Sequence, residues 1–190
     1  MVIISSKRYI YLVFSRTGTL FSRVINFGLH HKYAHVSLSF DSSLSVMYSF
    51  GRINPDNPFV AGLIKEDING GIFNKFPYSE CMIYKVTVTE DQLKMLKKEL
   101  NVFMAEQKKY KYNFLGVFTA YWDKPLERDY YYFCSQFVSE LLIKSSIYES
   151  NKSPALISPK DLLDINNKTV VFEGLVCNYS KSLHGALIAY

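Results

Sequence analysis

The chain has little with which to cross-link itself. Its three cysteines are odd in number and lack paired spacing, which argues against both a disulfide framework and a zinc site. It has no apolar run approaching the ~20 residues of a membrane span. Its N-terminus does not read as a signal peptide, since the only apolar run there, residues 9–14, is short and follows Lys7 and Arg8. Charge of one sign is scarce. The formal net charge is only +5 and scattered. The densest basic stretch, Lys108, Lys109 and Lys111, is interleaved with tyrosines and reads as a solvated loop after a helix rather than a nucleic-acid or anionic-membrane patch. Internal repeats, low-complexity segments and domain linkers are lacking too. These absences imply one domain over residues 1–190 and a reducing, cytoplasmic location in which a free thiol persists.

What is present is a soluble-domain composition, 48% hydrophobic and 21% charged, with a core rich in tyrosine and phenylalanine. Residues 9–14 (YIYLVF) read as a buried strand, and Thr17 or Thr19 caps a helical stretch through Phe27. Residues 33–40 (YAHVSLSF) alternate: Ala34, Val36, Leu38 and Phe40 share one face, and Tyr33, His35, Ser37 and Ser39 the other. That pattern predicts a half-buried strand with His35 on its polar side. Asp41-Ser42-Ser43 is turn material, and residues 45–50 (SVMYSF) return as a second arm. A three-residue connection puts Ser49 on the His35 face; a two-residue connection puts Phe50 there.

Residues 51–71, punctuated by Pro55, Pro58, Gly62, Gly70 and Gly71, read as a long surface loop over a cleft. Residues 81–88 (CMIYKVTV) form a strand. Thr89 then caps a helix carrying Leu93, Leu96, Leu100 and Phe103 on one face. Tyr112-Asn113 opens another helix through Trp122, and a helix beginning at Cys134 runs to about Ile147. Ser158-Pro159 starts a short helix, and residues 168–172 form a last strand.

Cys134 stands where a loop becomes a helix, with Phe137, Val138, Leu141 and Leu142 on its face. Taken alone it is a small core residue. In the first helical turn, however, unpaired N–H groups and the helix dipole favour a thiolate and can hold an oxyanion. His35 is the imidazole to pair with it, provided something covers the polar face of its strand, and the Cys134 helix is the candidate cover. His30, His31 and His184 read as surface residues, and Cys81 and Cys177 as structural ones.

These residues bring a family into view. "HVSLSFD", "MYSFGR", "KYNFLGVF" and "YYFCSQFVSELL", in that order, resemble the permuted NlpC/P60-like (YaeF/YiiX-like) branch of papain-fold cysteine hydrolases, to which lecithin-retinol-acyltransferase-like proteins also belong. The resemblance covers most of the chain and rests on two short motifs. It implies an α+β, papain-like fold with a small antiparallel sheet packed against helices, with Cys134 as nucleophile and His35 as general base. Where relatives carry an acid or a second histidine on the next strand, this chain has Tyr48 and Ser49. Ser49 accepts an imidazole N–H bond but cannot stabilise imidazolium as a carboxylate does. Glu66 can supply that charge, although a loop glutamate reads first as surface. The expected function is a cysteine peptidase or amidase, a hydrolase or acyltransferase acting on a peptide, amide or acyl-lipid substrate, without metal, cofactor or nucleic acid. The alternative is a non-catalytic peptide- or lipid-binding module that keeps the fold.

Overall fold

A computed structural model describes residues 7–17, 32–54 and 56–179, the side chain of Pro58 excepted. The helix expected after Thr17 or Thr19, together with His30, His31 and His184, lies outside the described residues. The elements run β1 (Arg8–Arg16), β2 (His35–Ser39), β3 (Met47–Asn54), β4 (Asn57–Glu66), α1 (Gly71–Lys75), β5 (Glu80–Val88), α2 (Glu90–Ala105), β6 (Lys111–Tyr112), α3 (Phe114–Tyr121), β7 (Tyr131–Tyr132), α4 (Cys134–Lys144), α5 (Pro159–Leu163) and β8 (Lys168–Leu175). Six strands form one antiparallel sheet in the order β4-β3-β2-β1-β5-β8, while β6 and β7 pair in parallel. The result is a mixed α+β fold.

Helix starts follow the sequence closely because their signals are local. Thr89 and Gln92 form a reciprocal capping box on α2, Asn113 caps α3 through Gly116 N–H, and Ser158 with Asp161 caps α5. Two apolar clusters sandwich the sheet. On one face Leu12, Val36, Leu38 and Phe50 pack against Phe137, Val138 and Leu141 of α4 and Leu96 and Phe103 of α2. On the other, Val13, Met47, Cys81 and Ile83 pack against Leu44, Ile68, Phe73 and Tyr179.

The second cluster corrects the expectation of a half-buried β2. Ser37 and Ser39, on its polar face, are fully buried. Their hydroxyls are satisfied within the fold, Ser39 donating to Val46 O at 2.8 Å and Ser37 to the Glu66 carboxylate. Alternation reported side-chain polarity, and small hydroxylated side chains are readily buried once paired. A further correction concerns the cover. Helix α4 packs on the apolar face of β2, opposite the His35 face, because its own stripe of Phe137, Val138 and Leu141 matches that surface.

Residues 51–71 are not a surface loop. β3 continues to Asn54, and β4 returns with Gly51 opposite Gly62 and Met47 opposite Glu66. β4 is an edge strand, so a proline at 58 need not remove a ladder hydrogen bond, and the breaker residues misled for that reason. The β2–β3 register pairs Ser39 with Met47 across a connection longer than expected, and this parity puts Ser49 on the His35 face.

Candidate functional site

The site forms where β2 begins. His35 pairs with Ser15 of β1, and Ala34 N–H donates to Ser15 O at 3.3 Å. Over this point lies the first residue of α4, Cys134, only 3% exposed, whose thiol faces Ala34 O at 3.8 Å. Helix α4 thus meets His35 around the end of the strand, although its body covers the opposite face. The N-cap is Phe133, whose side chain makes no capping bond. The first N–H groups of the helix therefore receive no capping bond from the N-cap side chain.

The third group is Glu66, at the end of β4. Both carboxylate oxygens lie 3.1 Å from His35 Nε2, and Ser37 Oγ donates to Oε2 while lying 3.2 Å from the same ring nitrogen. The glutamate side chain is 6% exposed and the imidazole 22%. Close approach of the two depends on Gly51 of the intervening strand. A β-carbon there would stand 3.3 Å from Glu66 Oε1, 3.5 Å from His35 Cε1 and 2.9 Å from Ile64 Cδ1.

Electrostatics follow from this geometry. Burial pushes the His35 imidazole down, but the Glu66 charge, a side-chain hydrogen bond with Cys134 and the bond to Glu66 outweigh it and hold the pKa well above 6.5. Burial pushes Glu66 up, yet the His35 charge and the bonds from His35 and Ser37 leave it below 4.5. The two form an imidazolium–carboxylate pair at neutral pH. Cys81, by contrast, is pushed up to about 12 by burial and stays an inert thiol.

Two cavities flank the site. One of about 660 Å³ is lined by His35, Glu66, Arg52, Phe50, Ile64 and Phe73 among others; one of about 50 Å³ is lined by Cys134, Ser135, Phe133 and Ile157. Ala34 and Tyr112 line both. Burial raises the Tyr112 phenol well above its ordinary value, Cys134 adds to this by charge and a side-chain hydrogen bond, and Arg52 opposes it. Tyr112 therefore stands beside the thiol as a neutral hydroxyl.

Of the residues read from the sequence, Cys134, His35 and Glu66 come together. Ser49 does not join them: it is fully buried and donates to Val36 O at 2.7 Å, clipping β3 to β2. It shares the His35 face, but its hydroxyl finds the nearer backbone carbonyl first. Sequence reasoning missed Ser37, Gly51 and Tyr112. Ser37 was legible, being two residues beyond His35 on one strand face; the other two depend on tertiary approach. Among the described residues no group of three His, Cys, Asp or Glu side chains is arranged to hold a metal ion. Comparison with known protein families, with curated proteins and with solved structures finds no match to this chain.

Proposed function

We propose that the protein is a cysteine hydrolase or acyltransferase of the papain-like, permuted NlpC/P60 type, acting on an amide or (thio)ester bond. The observation that carries this reading is the Glu66 carboxylate 3.1 Å from His35 Nε2, on an imidazole that also engages the Cys134 thiol. His35, held as the imidazolium beside Glu66, already carries the proton that the Cys134 thiol gives up, and Cys134 sulfur attacks the substrate carbonyl carbon as the thiolate of that pair. The tetrahedral oxyanion is held by N–H groups at the start of α4 and by the neutral Tyr112 hydroxyl. Collapse expels the leaving group, which takes the proton from the imidazolium and leaves an acyl-cysteine. Water or a second nucleophile, deprotonated by His35, then releases the acyl group. Glu66 holds the ring orientation and stabilises the imidazolium throughout.

A second reading, a non-catalytic module that binds a peptide or lipid, is favoured by one feature. The large cavity is lined by His35 and Glu66, whereas Cys134 lines only the 50 Å³ space.

The deciding experiment is the iodoacetamide rate at Cys134 from about pH 5 to pH 10, resolved from Cys81 and Cys177 by mass spectrometry. The enzyme reading expects fast alkylation near about pH 6 in the wild type, shifting toward about 8.5 in His35→Ala. Superimposable profiles of the two proteins would overturn it and leave the binding module.

A further inference from the structure

Helix α3 is built inside out. Its buried residue is Gly116, with Val117 and Ala120 half-buried beneath it, while Leu115 is 60% exposed and Phe118 49%. Tyr121 and Trp122 continue the outward surface, packed edge to face with ring centroids 5.5 Å apart. The β3–β4 hairpin extends it through Ile53, Phe59 and Val60, all exposed, and Phe59 reaches Phe114 with centroids 6.5 Å apart. Large apolar side chains from a helix and a hairpin therefore meet in one exposed apron. Its inner edge is the mouth of the 660 Å³ cavity, which Ile53 and Phe114 help to line. Scattered surface leucines need no explanation, but a contiguous aromatic apron does.

We infer that this apron docks on an anionic lipid surface. Three features select that occupant. Beside Leu115, Ile53 and Val60 the apron carries Phe59, Phe118, Tyr121 and Trp122, aromatic side chains that settle at the boundary between headgroups and acyl chains. Cations border it: Lys108, Lys111 and Lys124 are exposed and make no ion pair among the described residues. Of the acids nearby, Glu106, the C-cap residue of α2, pairs with Lys109 at 2.6 Å and Asp56 of the hairpin pairs with Lys75, while Asp123 follows Trp122 within the apron. The long lysine stems let the charges reach phosphates while the aromatic rings sit deeper. The net charge of +5 adds long-range attraction of the same sign. The basic stretch thus gains a role only from the apolar surface beside it. Docking is independent of chemistry at Cys134, but it brings the cavity mouth to the membrane.

The chain carries a single tryptophan, Trp122, inside the apron, so its emission reports docking directly. The experiment titrates the full chain with phosphatidylcholine vesicles containing phosphatidylglycerol, and with phosphatidylcholine alone, and checks binding by co-sedimentation. The anionic vesicles should shift Trp122 emission to the blue, brominated acyl chains should quench it, and salt should weaken both effects. Phe118→Glu, at an exposed position, should bind at least about 10- to 100-fold more weakly, the loss expected for one buried phenylalanine. Replacing Lys108, Lys111 and Lys124 together by Gln should abolish the preference for anionic vesicles. Cys134→Ala should bind as the wild type does, separating this result from the fate of the proposed chemistry. An unshifted, unquenched Trp122 would overturn the inference. So would a vesicle-independent blue shift that tracks dimerisation in sedimentation velocity, which would make a second copy of the chain the occupant.

Discussion

Glu66 and His35 are displaced in opposite directions, and the signs define a pH window. His35 is held above 6.5, so its contribution to stability is complete below that value and lost as pH rises through the raised pKa. Glu66 is held below 4.5, so its contribution is complete above that value and lost as pH falls through the lowered pKa. Together they stabilise the fold most between pH 4.5 and 6.5. Glu66→Gln should therefore lower stability by about 1–3 kcal/mol in that window, as for a hydrogen bond to a charged group. Thermal unfolding of both proteins across pH checks this. A melting difference that stays flat from acid to alkaline pH would show that the two residues are not an ion pair. The same variant should reduce any acyl turnover by roughly two orders of magnitude or more, since an uncharged partner no longer stabilises the imidazolium.

At the scale of elements, α3 depends on one glycine. A β-carbon at Gly116 would stand 2.3 Å from Asn113 Nδ2 and 2.6 Å from Cγ, so the capping side chain would have to leave. Asn113 bonds both ways, accepting from Gly116 N–H at 3.0 Å and donating to Leu126 O at 2.9 Å, and is itself fully buried. Alanine raises helix propensity in general, yet here it removes a cap and strands a buried amide. Gly116→Ala should thus destabilise the protein by about 1–3 kcal/mol, read as a loss in urea-unfolding free energy. Unchanged or increased stability would show that the cap has another way to sit.

The whole molecule is organised around one sheet with a core on each side. Phe137 ties α4 to that sheet: it is fully buried, with ring centroids 5.2 Å from Phe50 and 5.1 Å from Phe103. Since α4 also carries Cys134, the core beneath it sets where the sulfur stands relative to His35. Phe137→Ala should cost about 3–5 kcal/mol in equilibrium unfolding. It should also slow Cys134 alkylation near neutral pH, because the helix start loses its support. Loss of stability with an unaltered alkylation profile would separate the site from the core.

Local order was legible in the sequence wherever the controlling interactions are local. The caps at Thr89, Asn113 and Ser158 satisfy helix N–H groups within three residues, and the apolar spacing of α2 and α4 needs no partner to be seen. The β2 faces and the pairing of Cys134 with His35 as candidates came from period and position alone. Tertiary structure decided the rest. Gly and Pro between residues 51 and 71 signalled a loop, but pairing with β3 outweighed them and turned Glu66 from a surface residue into the buried partner of His35. The register that the sequence left open put Ser49 on the His35 face, where its hydroxyl bonds the Val36 carbonyl and not the imidazole. Polarity along a strand states what a side chain can bond to. Which partner it finds depends on strand order, register and a glycine's missing β-carbon, and these are set by packing between segments far apart in the chain.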